Sequence, residues 1–426
     1  MCTHMKFAIK TLGCKVNQSE SDAIASSLSK SLLHHASFEE KADIYIINTC
    51  AVTREAERKS RQFVNRALRI NPSALVLVTG CYARKVHLEG RTFHRNEKVI
   101  LLPSVEKETE IFDCLKIKLN LEVKSNSVPS TNRSRVWIKV EDGCEHFCSY
   151  CIVPHLRGKV KSREICEIVS EVRALEQRGA REIVLSGINL GYYGKERGEN
   201  LLKLIEAILQ NIQSIRIRLS SLEPFTISKE FLKKYFSFGE RACPHLHLPL
   251  QSGSNEILKK MKRGYSKEFF EELVYHARSL NPLVGITTDV IVGFPGETEE
   301  QFMETLRFCE KVCFSRMHIF PFSPRPYTEA MKLEEQQGIP AKIKREREKA
   351  LRAVAERSRE KFYQSLVGQT VDVLIESRNQ KTGKGYSENY VPVQCENVQE
   401  EQVGKIVKVK LLKSQGEWMK GVTLQS

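Results

Sequence analysis

The stretch VEDGCEHFCSYCIVPHLRG, residues 140–158, sets Cys144, Cys148 and Cys151 three and then two residues apart behind a glycine. Thiolates so close share a partner, yet most protein metal centres take four ligands. Zinc completed by His155 would close the site, although structural zinc favours paired C-x2-C knuckles and no second one occurs in the sequence. A cubane iron–sulfur cluster on three thiolates leaves one iron open, and that vacancy is a place to bind a small molecule. A second set of cysteines is dispersed: Cys14 in TLGCKVNQSE, Cys50 in IINTCAVT and Cys81 in VTGCYA. Each ends a short apolar run. Either they are ordinary buried thiols, or they meet at one end of a sheet and hold a second cluster.

The elements that must position these cysteines alternate between strand and helix. KFAIKTLG, DIYIINTC, LVLVTGC and KVILLP read as strands, with helices starting near Gln18, Thr53, Tyr82 and Ser104. They predict an α/β fold that begins with an open parallel βα domain over residues 5–117, its strand ends carrying Cys14, Cys50 and Cys81. Residues 118–135 are polar and read as a linker. Over residues 130–362 the alternation recurs in RVWIKVED, REIVLSG, IRIRLSS, HLHLPLQ, GITTDVIVG and RMHIFPF, which predicts a partial (β/α)6 barrel. Its first helix shows Ile165, Ile168, Val169, Val172 and Leu175 on one face, with Gly179 at the end. The Cys144 triad follows the first barrel strand, at the mouth where active sites gather. A charged helix from Pro340, apolar at Leu351, Val354, Ala355 and Phe362, leads to residues 363–426. There short alternating strands, such as Val407, Val409 and Leu411 against Lys408 and Lys410, predict a small antiparallel β-barrel.

Composition fits this organisation. The 426 residues are 41% hydrophobic and 28% charged, long enough for several domains. No apolar run approaches the roughly 20 residues that span a bilayer, so no membrane partner is expected. Thirteen cysteines behind an N-terminus without a secretory h-region point to thiolate ligands in the cytoplasm, not to disulfides. Net charge is +15, and residues 51–100 carry 11 Lys/Arg against 4 Asp/Glu. That excess is either a solvated face or a surface for a polyanion such as RNA.

Taken together the motifs resemble the radical S-adenosylmethionine (SAM) methylthiotransferases. C-x3-C-x2-C after a first barrel strand resembles the radical SAM signature, and GCxxN, NTCxV, TGC, DGCxxFCxYC, SGINLGYYG and FPGET stand in the family's order over nearly the whole chain. GYSENYVPV resembles part of the family's RNA-binding TRAM domain. The resemblance implies two [4Fe-4S] clusters. The one on Cys144, Cys148 and Cys151 would bind SAM and yield a 5′-deoxyadenosyl radical; the one on Cys14, Cys50 and Cys81 would carry the sulfur. It also implies two SAM per product and tRNA as substrate. KTLGCKVNQSE, with Lys15 after the first cysteine, and TGCYA resemble the branch that acts on N6-threonylcarbamoyladenosine at position 37, beside the anticodon. The isopentenyladenosine branch has Gln there and the ribosomal-protein aspartate branch has Pro.

Further positions carry expectations of their own. Gly187 and Asn189 in SGINLGYYG are expected at the methionine end of SAM, and Glu223, Gln251 and Ser252 at its amino acid or ribose. The FPGE turn is expected against the adenine. Arg157, Lys159 and Arg163 are candidates to bind the carboxylate of the threonylcarbamoyl group, and Tyr386 and Tyr390 to stack on RNA. Cys114, Cys166, Cys243, Cys309 and Cys313 read as small core residues. A sulfur donor and a flavodoxin- or ferredoxin-like electron donor would be required. The rival of another class is a non-catalytic iron–sulfur protein that binds RNA and senses redox state.

Overall fold

A computed structural model describes residues 5–31, 33–125 and 133–424; the first residues of the N-terminal stretch and most of the polar linker's middle, 126–132, lie outside the described residues. The N-terminal sheet is parallel throughout, in the order His34–His35, Lys6–Thr11, Ile44–Thr49, Leu75–Gly80, Val99–Leu102. Ile44–Thr49 is buried at every position because helices cover both faces. Ile44 and Ile46 enter one core while Tyr45 and Ile47 enter the other. Cys14 caps the helix Lys15–Lys30, Cys50 follows Ile44–Thr49, and Cys81 opens the helix Cys81–Leu88. All three stand at carboxyl ends of strands.

Six parallel strands form the partial barrel: Arg135–Lys139, Glu182–Ser186, Arg216–Leu219, His245–His247, Gly285–Val292 and Arg316–Pro321. Two three-stranded sheets meet through the bridges Ile217↔Ala242 and Ser221↔His247. The helix Ile165–Gln177 buries Ile168, Val169, Val172 and Leu175, and Gly179 takes φ +91° just past its end. The barrel's open side is flanked by the N-terminal domain: Lys139 N–H on the edge strand donates to Ser19 Oγ of Lys15–Lys30 at 3.0 Å.

One helix, Ala341–Leu366, belongs to two cores. Leu351 and Val354 pack into the barrel, and Phe362, Tyr363 and Leu366 into the C-terminal domain. That domain is a closed barrel in the order Thr370–Asn379, Thr382–Ser387, Pro392–Glu396, Trp418–Thr423, Ile406–Gln415. GYSENYVPV spans two strands and the turn between them, and one pairing, Pro392–Glu396 with Trp418–Thr423, is parallel where a wholly antiparallel barrel is expected.

The C-terminal barrel caps the floor of the large one through a single buried carboxylate. Glu182 begins its strand with no exposure, 2.9 Å from Arg135 Nε, 2.8 Å from Arg216 Nε and 2.7 Å from Arg218 Nε. Arg216 then donates to the carbonyl of Asp372 at 2.8 Å, and Arg218 to those of Glu388 at 2.9 Å and Ser387 at 3.0 Å. Burial would raise the Glu182 pKa, but the guanidiniums of Arg218, Arg216 and Arg135 hold it well below the carboxylate range. Its stabilising effect is therefore complete above the ordinary carboxylate pKa and lost only as pH falls through the depressed value. Glu182→Gln leaves three guanidiniums without their anion and should cost about 3–5 kcal/mol in urea unfolding near neutral pH. A loss within experimental error would mean the carbonyls alone hold the cap.

Candidate functional site

Close approach explains how the dispersed cysteines are gathered. Gly13 has φ +98°, and a Cβ there would lie 2.9 Å from Cys50 Cβ and 3.0 Å from Cys50 Sγ. Only glycine lets the turn before Cys14 lie against Cys50. Cys50 is buried, Cys81 partly so, and Cys14 exposed, which opens one side of the group to the outside. Burial, with Cys81 and Cys14 nearby, pushes the Cys50 thiol up to about 12.

In the second group, burial pushes Cys144 up to about 11 and raises Cys148 and Cys151. Thiols raised in this way are protonated by themselves and make poor nucleophiles; bound iron would displace the protons. Among the described residues no three His, Cys, Asp or Glu side chains could share one metal ion, whereas a cluster is gripped at separate irons. His155 does not complete a zinc set. It is exposed, with its ring 5.7 Å from Phe147 and 5.9 Å from Tyr327.

Two contacts fix one triad against the other. Ile152 and Leu156, just after Cys151, share an apolar cluster with Ala51, Tyr82 and Val86, and Cys81 packs against it. Arg157, buried, bridges the domains: it donates to Asn17 Oδ1 at 2.6 Å and Asp142 Oδ1 at 2.7 Å, and lies 3.3 Å from Glu20. Glu20 also pairs with Lys107, and with Lys139 at 3.0 Å. Across the same junction Arg325 donates to Glu57 at 2.6 Å and to the Ala51 carbonyl at 3.2 Å.

Around the barrel triad the expected loops supply unsatisfied groups. Gly187 has no room for a Cβ, which would meet Glu141 Oε2 at 2.4 Å. Asn189 N–H donates to that carboxylate at 2.9 Å, while both side-chain polar atoms of Asn189 and Oε1 of Glu141 are buried without a hydrogen-bond partner. Burial raises Glu141 to about 8. Glu223 accepts from Arg263, which also donates to Cys148 Sγ at 3.2 Å and to Tyr150 Oη at 3.3 Å. Arg263, in no motif of the sequence reading, thus joins a cluster cysteine to a strand-end carboxylate. Gln251 is buried at φ +67°. Orphaned polar atoms and a ring of thiols suit an amino-acid-bearing cofactor on an open iron.

Several of the expected residues have partners within the chain. Arg157 is held by the chain's own carboxylates, and Arg163 lies 2.7 Å from Glu171; Lys159 is exposed. Ser252 Oγ is fully buried, 3.2 Å from Thr305 Oγ1, and shapes its loop. Phe294 of the FPGE turn packs on Phe322, and Glu297 pairs with Arg347. Tyr386 and Tyr390, both half-buried, stack at 5.1 Å under the guanidiniums of Arg135 and Arg218, each 4.7 Å from a ring, and so help to floor the barrel. Cys166 is exposed, unlike the buried Cys114, Cys243 and Cys309.

Iron counting tests the two sites as separate ligand sets. Replacing Cys144, Cys148 and Cys151 by Ala should leave about half the iron and abolish 5′-deoxyadenosine formation from SAM. Gly13→Ala should remove the other half, and the combination nearly all. Equal iron in all variants would contradict this.

Comparison with known proteins agrees with the geometry. Residues 138–309 match the radical SAM superfamily, 6–101 the family described as uncharacterized protein family UPF0004, and 364–422 the TRAM domain. The threonylcarbamoyladenosine tRNA methylthiotransferase MtaB of Aquifex aeolicus is 39% identical over 95% of this chain and 100% of its own. The protein of the same name from Bacillus subtilis is 35% identical over 96% and 94%. A tRNA-2-methylthio-N(6)-dimethylallyladenosine synthase of Thermoanaerobacter sp. is 32% identical over 98% and 92%. In fold the chain resembles the radical SAM methyltransferase TsrM of Kitasatospora setae, with a TM-score of 0.52 and 16% identity over 78% of this chain and 76% of that one. Two cysteine triads, the barrel, the RNA-binding module and relatives matched over nearly their whole length lead to one assignment: the chain belongs to the radical SAM tRNA methylthiotransferase family, whose cofactors are two [4Fe-4S] clusters and SAM.

Proposed function

We propose that this enzyme places a methylthio group on C2 of N6-threonylcarbamoyladenosine at position 37 of tRNA, consuming two SAM, one as methyl donor and one as radical source. The observation that supports the reading is the junction at Arg157, Ile152 and Leu156, which joins the segment after Cys151 to the elements that carry Cys14 and Cys81. When bound, the barrel cluster with SAM would supply radical chemistry toward the C2–H bond, and the N-terminal cluster would supply the methylthio group. The chain's own part is to bind and orient. Cys144, Cys148 and Cys151 hold one cluster, Cys14, Cys50 and Cys81 the other. Gly187 lets its loop lie against Glu141, and the unpartnered side chain of Asn189 offers the SAM methionine end donors and an acceptor. Glu223 is held in place by Arg263. Gln251, on the strand-end turn, would reach the ribose.

The RNA side is supported by exposed groups. Phe147, 53% exposed, with His155 and Tyr327, forms an aromatic rim beside Cys148, suited to a base splayed from a loop. The helix Arg54–Ile70, which starts four residues past Cys50, exposes Arg54, Arg58, Arg61 and Arg69. On the C-terminal barrel Lys384 lies over Trp418, 5.2 Å from the ring centroid, and Lys410 and Lys413 are exposed. No helix of the described residues is long and apolar enough to cross a membrane, and the reaction belongs with tRNA in the cytoplasm. A flavodoxin- or ferredoxin-like electron donor is part of the proposal, together with a sulfur source. The alternative substrates, isopentenyladenosine tRNA and a ribosomal-protein aspartate, are carried by the same chemistry.

Affinity for tRNA should fall linearly on a log–log plot against salt. Each of Arg54→Ala and Arg61→Ala should reduce that slope by up to about one, the yield of one lost phosphate contact. A salt-independent affinity would remove the electrostatic argument. The substrate is tested by incubating purified enzyme with two tRNAs, one bearing threonylcarbamoyladenosine and one isopentenyladenosine, and digesting each for mass spectrometry. The 2-methylthio product is expected from the first. Product from the second alone, or from neither while a ribosomal protein is modified, would overturn the substrate and leave the family standing.

A further inference from the structure

Lys15 differs from the other cations near the two triads. Arg157, Lys139 and Lys107 share Glu20, Arg263 has Glu223, and Arg325 has Glu57. Lys15 is partly buried and, among the described residues, forms no ion pair. Its Nζ lies 5.4 Å from the centroid of the Tyr390 ring. That ring is part of the barrel floor, 4.7 Å from the His245 ring and under Arg218. Lys15 is also the first residue of the helix that flanks the barrel's open edge, and it follows Cys14 directly. Its backbone therefore belongs to the N-terminal triad while its ammonium enters the barrel. The neighbouring acid on the barrel wall, Asp289, is engaged by His247 at 3.3 Å.

A cation withdrawn from water without a counter-charge is costly, and an anionic ligand would relieve that cost. The purine determines where the anion comes from. C2, N1 and N6 of adenine lie on one edge, so turning C2 toward the thiols around Cys14 brings the N6 substituent toward the residue after Cys14. A threonylcarbamoyl substituent ends in a carboxylate. We infer that Lys15 is a specificity-determining residue of this enzyme, and that its ammonium holds that carboxylate inside the barrel. The inference rests on the threonylcarbamoyladenosine reading above. An isopentenyl group in the same position would leave Lys15 desolvated and unpaired, the condition under which polar sites reject apolar analogues most strongly.

The test uses the full-length, cluster-loaded enzyme and two anticodon stem-loops, one with the threonylcarbamoyl acid and one with its carboxylate converted to the primary amide. Equilibrium binding should favour the acid by about tenfold or more in the wild type. Lys15→Met should bring the ratio near one, and Lys15→Arg should keep most of it. Iron content checks that the change beside Cys14 has not cost a cluster. Should Lys15→Met lose iron, the wild-type ratio and Lys15→Arg decide. Equal binding of acid and amide by the wild type, or an undiminished ratio in an iron-replete Lys15→Met, would overturn the inference. Product formation on the acid stem-loop separates the two levels: an enzyme that methylthiolates it yet ignores the charge keeps its substrate and loses the role of Lys15. An enzyme that leaves it unmodified loses both.

Discussion

The structure depends on the buried salt-bridge junction between the N-terminal sheet and the barrel. Two cysteine triads belong to units with separate cores, and no covalent link beyond the chain itself ties those units together. Arg157 does so with Asn17, Glu20 and Asp142, all within 3.3 Å. Buried ion pairs contribute little net stability, because desolvation cancels most of the attraction. Their use here is geometric: a guanidinium with three partners tolerates one orientation. The apolar contact of Ile152 and Leu156 with Tyr82 and Val86 supplies the non-directional part of the same joint.

The floor of the barrel is solved by the same means. Three guanidiniums around Glu182 would repel one another in an apolar interior, so the carboxylate and four backbone carbonyls of the C-terminal domain take up their charge and donors. The RNA-binding module is thereby fixed beneath the barrel instead of swinging on a linker, and its Tyr386 and Tyr390 are spent on that contact. Elsewhere on the module Lys384 lies over Trp418, a second pair of cation and ring.

Much of this was legible in the sequence because it is local. β-branched runs gave the strands, and a cysteine at the end of a strand in a parallel sheet must lie at the ligand end, so Cys14, Cys50 and Cys81 could be grouped before any coordinates. The i, i+3, i+4 pattern likewise gave the helix at Ile165. What was not legible is pairing over long separations. Nothing in the residues around Arg157 says that its anion is Glu20, which lies 137 positions earlier. Arg263 and Cys148 are 115 apart and share no motif. The contact of the small barrel's tyrosines with Arg135 and Arg218 is hidden for the same reason: alternation shows that a side chain leaves its own strand, not whether solvent or another domain receives it. Cys166 erred the other way, since an apolar-looking residue one step off the helix's buried face is solvent-facing.

The central claim is that both triads hold clusters facing one shared space, and magnetic coupling tests it most directly. Fully reconstituted enzyme, reduced with dithionite, would be compared by electron paramagnetic resonance with two variants that each lack one triad. The account predicts a wild-type spectrum broadened by interaction between the two reduced clusters, unlike the sum of the variants' spectra. A wild-type spectrum equal to that sum would contradict it.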